Sequence, residues 1–134
     1  MGNTSIIDGR RVASDRIDTL GEKEIFVFGS NIQGMHGGGA ARMAHQRFGA
    51  EWGVGEGLTG RTYALPTMEG PESFKHAVEH FTACAKEHPD LIFLVTAVGC
   101  GIAGYTPQEV APLFGEAAAL ENVYLPQSFR AVLG

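Results

Sequence analysis

Two short glycine-rich segments carry the residues of this chain that are best suited to binding a phosphate. The first, GSNIQGMHGGGAARMA, spans residues 29–44, and the second, GCGIAGY, spans residues 99–105. Glycine lets a ligand approach the backbone closely, and the N–H groups at a helix N-terminus attract anions. The competing interpretation is that the glycines only form turns. If the two segments lie together, they predict an anion site built from backbone N–H groups.

Each segment follows an apolar run and precedes a stretch with helical features. The runs EIFVFG (24–29) and LIFLVTAV (91–98) are typical of strands buried on both faces of a parallel sheet. Helices are predicted over residues 38–50 and 106–120, the second with Thr106 as its N-cap. Ligands bind outside the carboxyl ends of the strands in such sheets, so we expect both segments at the same edge, each ahead of a helix N-terminus.

The remaining elements complete an alternation of strands and helices. Strands are predicted at 62–67 and 122–126, and residues 51–61 are predicted to form a glycine-rich loop. A helix is predicted to start near Pro71 and to end before Pro89. This alternation predicts an α/β fold with a largely parallel central sheet. We interpret residues 1–22 as a polar lead-in and residues 23–134 as a single domain.

Composition and charge exclude several classes of protein. Ten basic and 15 acidic side chains give a net charge of -5, which argues against binding a nucleic-acid duplex but permits a small anion. Two cysteines without a Cys-x-x-Cys spacing favour a cytoplasmic location. The chain has no apolar run long enough to span a membrane. His76 and His80 have an i, i+4 spacing without an evident third ligand, so we predict neither a metal nor a cofactor; the sequence predicts no oligomeric state.

Two familiar phosphate-binding motifs do not fit the glycine segments. The P-loop pattern G-x-x-x-x-G-K-[ST] is absent, and no lysine lies near either segment. The stretch GMHGGG also departs from the dinucleotide-binding pattern G-x-G-x-x-G. An ordinary ATPase or dehydrogenase is therefore disfavoured.

The two segments resemble the ligand loops of macrodomains, which are ADP-ribose-binding modules. FGSN followed by HGGGAARMA is similar to the family's NAAN strand end and its GGGG loop. GCGIAGYTP is similar to the family's S-T-G-I-F-G-Y-P loop, with departures at Gly99, Cys100 and Ala103. The resemblance covers residues 18–125 and extends to a compact bacterial and phage branch of macrodomain-like proteins. It implies a three-layer α/β/α sandwich.

The resemblance also implies roles for individual residues. Gly37–Ala40 would hold the diphosphate and distal ribose, and Gly101–Tyr105 would enclose the diphosphate from the other side. Asn31 would bind the ribose hydroxyls, and Asp18 has the spacing of an aspartate that contacts the adenine amino group in the family. On this resemblance Asn31 is a candidate catalytic residue. His36 is the second candidate, because it adjoins the glycine loop and could act as an acid or base. The full set of predicted ligand-binding residues is Asp18, Gly29, Ser30, Asn31, Gly37, Gly38, Gly39, Ala40, Gly99, Cys100, Gly101, Ile102, Ala103, Gly104 and Tyr105.

Several alternatives remain open at this point. The expected function is binding of ADP-ribose or a related nucleotide diphosphate, with hydrolysis of an ADP-ribosyl derivative as a further hypothesis. The alternative is a small, non-catalytic α/β interaction module whose glycine loops are structural. His36 either contacts the ligand or caps a backbone group, and Trp52 either stacks on a base or anchors a loop. Cys100 is either a thiol activated at a helix N-terminus or a small residue that fits the loop.

Overall fold

A seven-stranded mixed sheet organises residues 2–134, the part of the chain that the computed structural model describes. The strands are β1 (Thr4–Ile7), β2 (Arg10–Ala13), β3 (Glu24–Ser30), β4 (Gly57–Thr59), β5 (Thr62–Pro66), β6 (Ile92–Val95) and β7 (Val123–Pro126). The helices are α1 (Gly39–Arg47), α2 (Pro71–Glu87), α3 (Pro107–Val110), α4 (Gly115–Ala118) and α5 (Gln127–Leu133), with a 3-10 turn at Ala111–Phe114. The predicted α/β class is confirmed.

The strand order places β3 and β6 side by side near the centre of the sheet. The order is β1-β2-β7-β6-β3-β5-β4, and the pairings β2–β7, β7–β6, β6–β3 and β3–β5 are parallel. The outermost pairings, β1–β2 and β5–β4, are antiparallel. The carboxyl ends of five neighbouring parallel strands, β2, β7, β6, β3 and β5, therefore meet at one edge of the sheet.

Strand β3 is buried on both faces, which explains its continuous apolar run. Ile25 and Val27 belong to one core cluster, which includes residues of α2, β6 and α5. Phe26 and Phe28 belong to a second cluster, which includes Ala44 of α1. Because successive strand side chains point to opposite faces, helices cover both sides of the sheet at this strand.

The predicted polar lead-in over residues 1–22 contains two strands instead. β1 and β2 form an antiparallel hairpin whose turn has positive φ at Asp8 (52°) and Gly9 (77°). β2 joins the sheet by pairing with β7, which buries Val12 and Ala13. This pairing is a long-range contact, and the short polar segment carried no periodicity that would have indicated it. Met1 lies outside the described residues.

The prediction of a single helix over residues 106–120 is wrong. Its capping box is present, with the Glu109 N–H donating to Thr106 Oγ1 at 3.3 Å and the Thr106 N–H donating to Glu109 Oε1 at 2.9 Å. The helix then ends at Val110, and a 3-10 turn containing Pro112 separates it from α4. Proline has no N–H to donate and crowds the preceding turn, which accounts for the break. The loop predicted over residues 51–61 also contains a short strand, β4.

None of the helices within residues 2–134 combines the length and the apolar character needed to cross a membrane.

Candidate functional site

A cleft opens at the carboxyl edge of the sheet, where the connections after β3 and β6 diverge. The chain leaves β3 for α1 and reaches β5 on one side, whereas it leaves β6 for α3 and reaches β7 on the other. Such a divergence between neighbouring parallel strands creates a crevice in which α/β proteins bind ligands. The two glycine segments thus meet although residues 45–98 separate them in the sequence.

The cleft has a volume of about 320 Å³, which falls at the lower end of the range for small-molecule sites. The ends of β3, β5 and β6 contribute to it, together with both glycine segments. Its lining residues are Gly29, Ser30, Asn31, Met35, Gly38, Gly39, Ala40, Ala41, Thr67, Met68, Thr96, Ala97, Val98, Gly99, Gly101, Ile102 and Ala103.

Two walls of the cleft carry backbone donors without an acceptor among residues 2–134. Gly38 is the N-cap of the nine-residue helix α1, and no side chain caps this helix. Within residues 2–134, no hydrogen bond uses the N–H groups of Gly38–Ala41 or of Gly101–Ala103. The first N–H groups of a helix lack partners inside the helix and carry its positive dipole end. Residues of both glycine segments therefore line the cleft with N–H groups that residues 2–134 leave unpaired.

The hydroxyl groups at the strand ends are committed to the protein itself. Thr96 Oγ1 donates to the Val27 carbonyl at 2.8 Å, Thr67 Oγ1 donates to the Ser30 carbonyl at 3.4 Å, and Ser30 Oγ donates to the Gly55 carbonyl. Each hydroxyl has one hydrogen, so these bonds leave it only acceptor capacity. Apart from the Asn31 amide, donors for an anionic ligand must therefore come from the backbone.

No ionisable side chain lines the cleft among the residues that the structure describes. The lining side chains are small, apolar, hydroxylic or amide groups. General acid–base catalysis by a side chain requires a titratable group within hydrogen-bond reach of the reacting atoms. The described cleft is consequently better suited to binding an anion through neutral donors than to transferring protons.

Asn31 lies at the cleft, but its amide holds a turn of its own loop. Asn31 Oδ1 accepts from the Met35 N–H at 3.0 Å, and Asn31 Nδ2 donates to the Met35 carbonyl at 3.1 Å. The next N–H, of Ile32, donates to Glu69 Oε2 at 2.9 Å. Asn31 retains one amide hydrogen and one lone pair for a ligand, so loop positioning and ligand contact are compatible.

His36 is not part of the cleft lining, because its ring is buried and only 1% exposed. Its Nε2 donates to the Glu51 carbonyl at 3.0 Å, and the ring packs edge-on against Phe28 and Trp52. This placement matches the interpretation of His36 as a residue that caps a backbone group. Trp52 lies beside His36 and His45 and is likewise outside the cleft lining.

Five other predicted residues also lie outside the cleft lining: Asp18, Gly37, Cys100, Gly104 and Tyr105. The Asp18 carboxylate is exposed and forms ion pairs with Arg16 and Arg47. The Tyr105 ring packs against Phe74 with ring centroids 5.2 Å apart. The other predicted ligand-binding residues, namely Gly29, Ser30, Asn31, Gly38, Gly39, Ala40, Gly99, Gly101, Ile102 and Ala103, all line the cleft.

Some lining residues were missed by the sequence analysis. Thr67 and Met68 follow β5, whose carboxyl end meets the same sheet edge, and the strand-end rule applied to β3 and β6 would have found them. Thr96, Ala97 and Val98 were assigned to a strand, but β6 ends at Val95. Met35 and Ala41 lie within the first glycine segment, and their closeness to its glycines was the signal that could have identified them as lining residues.

The glycines that line the cleft differ in whether the fold itself requires glycine at their position. Gly99 has φ of 80°, and a Cβ there would lie 2.5 Å from Phe74 Cε2, so the fold itself requires glycine. Gly38 has an extended backbone and Gly101 has no positive φ, and a Cβ at either position would meet nothing within 4 Å. Nothing in the fold therefore requires glycine at these two positions, which both border the cleft.

Cys100 is expected to behave as an unactivated thiol. Burial raises its pKa, and the negative charge of Glu109 raises it further, so the thiol stays protonated at neutral pH. In a Cys84→Ala variant, the rate of alkylation by iodoacetamide should be low at pH 7 and still rising at pH 9. A rate that reached its plateau below pH 8 would show an activated thiolate and contradict this expectation.

Comparison of the chain with protein-family models, curated proteins and solved structures found no match.

Proposed function

We propose that the cleft binds ADP-ribose or a related nucleotide diphosphate. The observation that carries this proposal is the pair of backbone walls, Gly38–Ala41 and Gly101–Ala103, whose N–H groups have no acceptor within the described chain. A diphosphate offers several acceptor oxygens in a row, which suits donors converging from two sides. The open space beside Gly38 and Gly101 supports close approach of such a ligand.

Apolar side chains at the cleft suit the remainder of a nucleotide. Met35, Met68 and Ile102 all line the cleft and are 58%, 48% and 89% exposed. Ligand sites commonly combine such apolar surface with a few fixed polar groups. The sugar or base faces would cover these side chains, whereas free inorganic phosphate would leave them exposed. This favours a nucleotide over a bare anion.

The same proposal includes the macrodomain-like character of the domain. Helices on both faces of the sheet at β3 support a three-layer α/β/α arrangement, and the two loops supply the resemblance to macrodomains. We also propose a cytoplasmic location, because the two cysteines, Cys84 and Cys100, are both free.

Hydrolysis of an ADP-ribosyl derivative is the less supported extension. With no acid or base lining the cleft, the protein would have to orient a substrate-bound water through Asn31 and the backbone. His36 has no direct part in this extension, because its ring lies among Phe28 and Trp52. Asn31→Ala should then lower turnover of an ADP-ribosylated substrate; unchanged turnover would remove Asn31 from the mechanism.

Isothermal titration calorimetry with ADP-ribose tests the proposal directly. We expect saturable heat with one site per chain and a ligand-dependent rise in Tm. AMP and ribose 5-phosphate, which lack the diphosphate linkage, should bind more weakly than ADP-ribose. Absence of both heat and a Tm shift at millimolar ADP-ribose would overturn the proposal and favour the interaction-module alternative.

A further inference from the structure

A second group of residues suited to an anion lies at the opposite edge of the sheet from the cleft. Arg10 and Arg11 begin β2, which runs parallel to β7, and so they lie at the amino edge. Arg130 belongs to α5, which follows the carboxyl end of β7 and packs against β2 and β7. We call Arg10, Arg11 and Arg130 the arginine cluster.

Hydrogen bonds bring two guanidinium groups of the arginine cluster together. Arg130 Nη1 and Arg11 Nη2 both donate to the carbonyl oxygen of Ala118, at 3.3 and 3.2 Å. Arg130 Nε donates to the backbone carbonyl of Arg11 at 2.8 Å. These contacts fix two positive charges around one carbonyl oxygen.

No acidic group in the described chain balances this charge. The ion pairs formed within residues 2–134 include none of the three arginines. Arg130 is only 6% exposed, and burial lowers its pKa, as do the nearby charges of Arg11 and Arg10. Arginine nevertheless stays protonated at neutral pH, so the repulsion persists in the folded protein.

The arginine cluster also holds donors that the protein does not satisfy. Arg130 Nη2 and Arg11 Nε are buried and have no hydrogen-bond partner among residues 2–134. Buried polar groups of folded proteins are usually paired, and a buried charge is usually matched by an opposite charge. Residues 2–134 thus leave both hydrogen-bond donors and positive charge of this cluster unmatched.

We propose that the arginine cluster binds a phosphate group, as a second ligand site separate from the cleft. Arg10 is exposed and Arg11 is half-buried, so both are open to an anion from solvent, and the Arg130 guanidinium meets that of Arg11 at the Ala118 carbonyl. Guanidinium groups pair with phosphate oxygens through two parallel hydrogen bonds. Three positive charges without a counter-charge favour a dianionic phosphate over a single carboxylate. This proposal does not rest on the function proposed for the cleft.

Thermal unfolding with inorganic phosphate tests the second site, using a Gly38→Val background that obstructs the cleft. Phosphate should raise the Tm saturably, whereas sodium chloride at equal ionic strength should not. Arg10→Gln and Arg11→Gln should each reduce the phosphate-dependent shift at least twofold, and the double variant should abolish it. Arg16→Gln is the matched control, because Arg16 is exposed and outside the arginine cluster, and it should keep the full shift.

Two results would overturn this second site: the absence of a saturable phosphate effect, or an undiminished effect in the Arg10→Gln/Arg11→Gln variant. Arg130 is avoided because its burial makes misfolding the expected result of substitution. Repeating the titration with AMP identifies the source of the phosphate. A shift with both supports a phosphate monoester as ligand, and a shift with inorganic phosphate alone supports the free ion. If ADP-ribose did not bind the wild-type cleft, the outcome of this phosphate titration would be the same.

Discussion

Replacing Gly38 or Gly101 with valine is expected to weaken ADP-ribose binding at least about tenfold. Gly38 lines the cleft from the first glycine segment and Gly101 from the second, and a side chain at either would enter space that is open in the fold. Crowding a close-fitting site by such a group costs roughly 1 to 3 kcal/mol, and about 1.4 kcal/mol corresponds to a factor of ten in Kd. Calorimetric titration of each variant provides the measurement.

The stability of these valine variants separates loss of binding from loss of fold. Neither position needs positive φ, so the free energy of unfolding should fall by no more than about 1 kcal/mol, the scale of an N-cap change at Gly38. Gly115→Val is the matched control, because its Cβ also meets nothing within 4 Å and Gly115 is not a cleft residue. It should bind ADP-ribose like the wild type. Wild-type affinity in both cleft variants would contradict a ligand between these walls.

Replacing Gly99 with alanine is expected to destabilise the protein by about 2 to 5 kcal/mol. Left-handed backbone costs a residue with a Cβ roughly 1 to 2 kcal/mol, and Gly99 has φ of 80°. The added Cβ would also lie 2.5 Å from the ring of Phe74, a core side chain that is 1% exposed. Overpacking of a core adds about 1 to 3 kcal/mol. Urea unfolding of the two proteins measures the difference.

A double-mutant cycle assigns part of this loss to the contact with Phe74. Phe74→Leu removes the atoms nearest the new Cβ, so Gly99→Ala should cost less in that background than in the wild type. Gly101→Ala, two residues away in open space, should change stability by less than about 0.5 kcal/mol. Equal losses from Gly99→Ala in both backgrounds would show that backbone strain alone is responsible.

The strands and helices with strong apolar patterns were predictable from the sequence. β3, β5, β6, β7 and α2 lie where apolar runs, helical periodicity and flanking prolines indicated them. Their patterns are set by burial on one or both faces, which is a local property of the sequence. The convergence of the two glycine segments followed from the same elements, because parallel strands share one carboxyl edge.

Features that depend on tertiary contacts were not predictable. The β1–β2 hairpin is short and polar, and its place in the sheet is fixed by pairing with β7, more than 100 residues later. Residues 106–120 have an amphipathic pattern, but Pro112 divides them into short helical pieces. Its position beside the glycine loop pointed to His36, and the resemblance to macrodomains pointed to Tyr105. Their rings pack against Trp52 and Phe74 instead. The local sequence around a glycine loop does not indicate which way the neighbouring side chains point.

Because β3 and β6 are neighbours in the sheet, the proposed ligand site can form only when distant parts of the chain have folded together. Glu24 pairs with Ile92, so the two walls meet only after a contact between distant parts of the chain has formed. Contacts of this kind carry the entropy of closing a long loop and tend to form slowly. A folding intermediate that contained α1 or α2 alone would have no cleft and no affinity. A ligand at 100 times its Kd should therefore add about 2.7 kcal/mol to the free energy of unfolding. Because such intermediates do not bind the ligand, their population should fall.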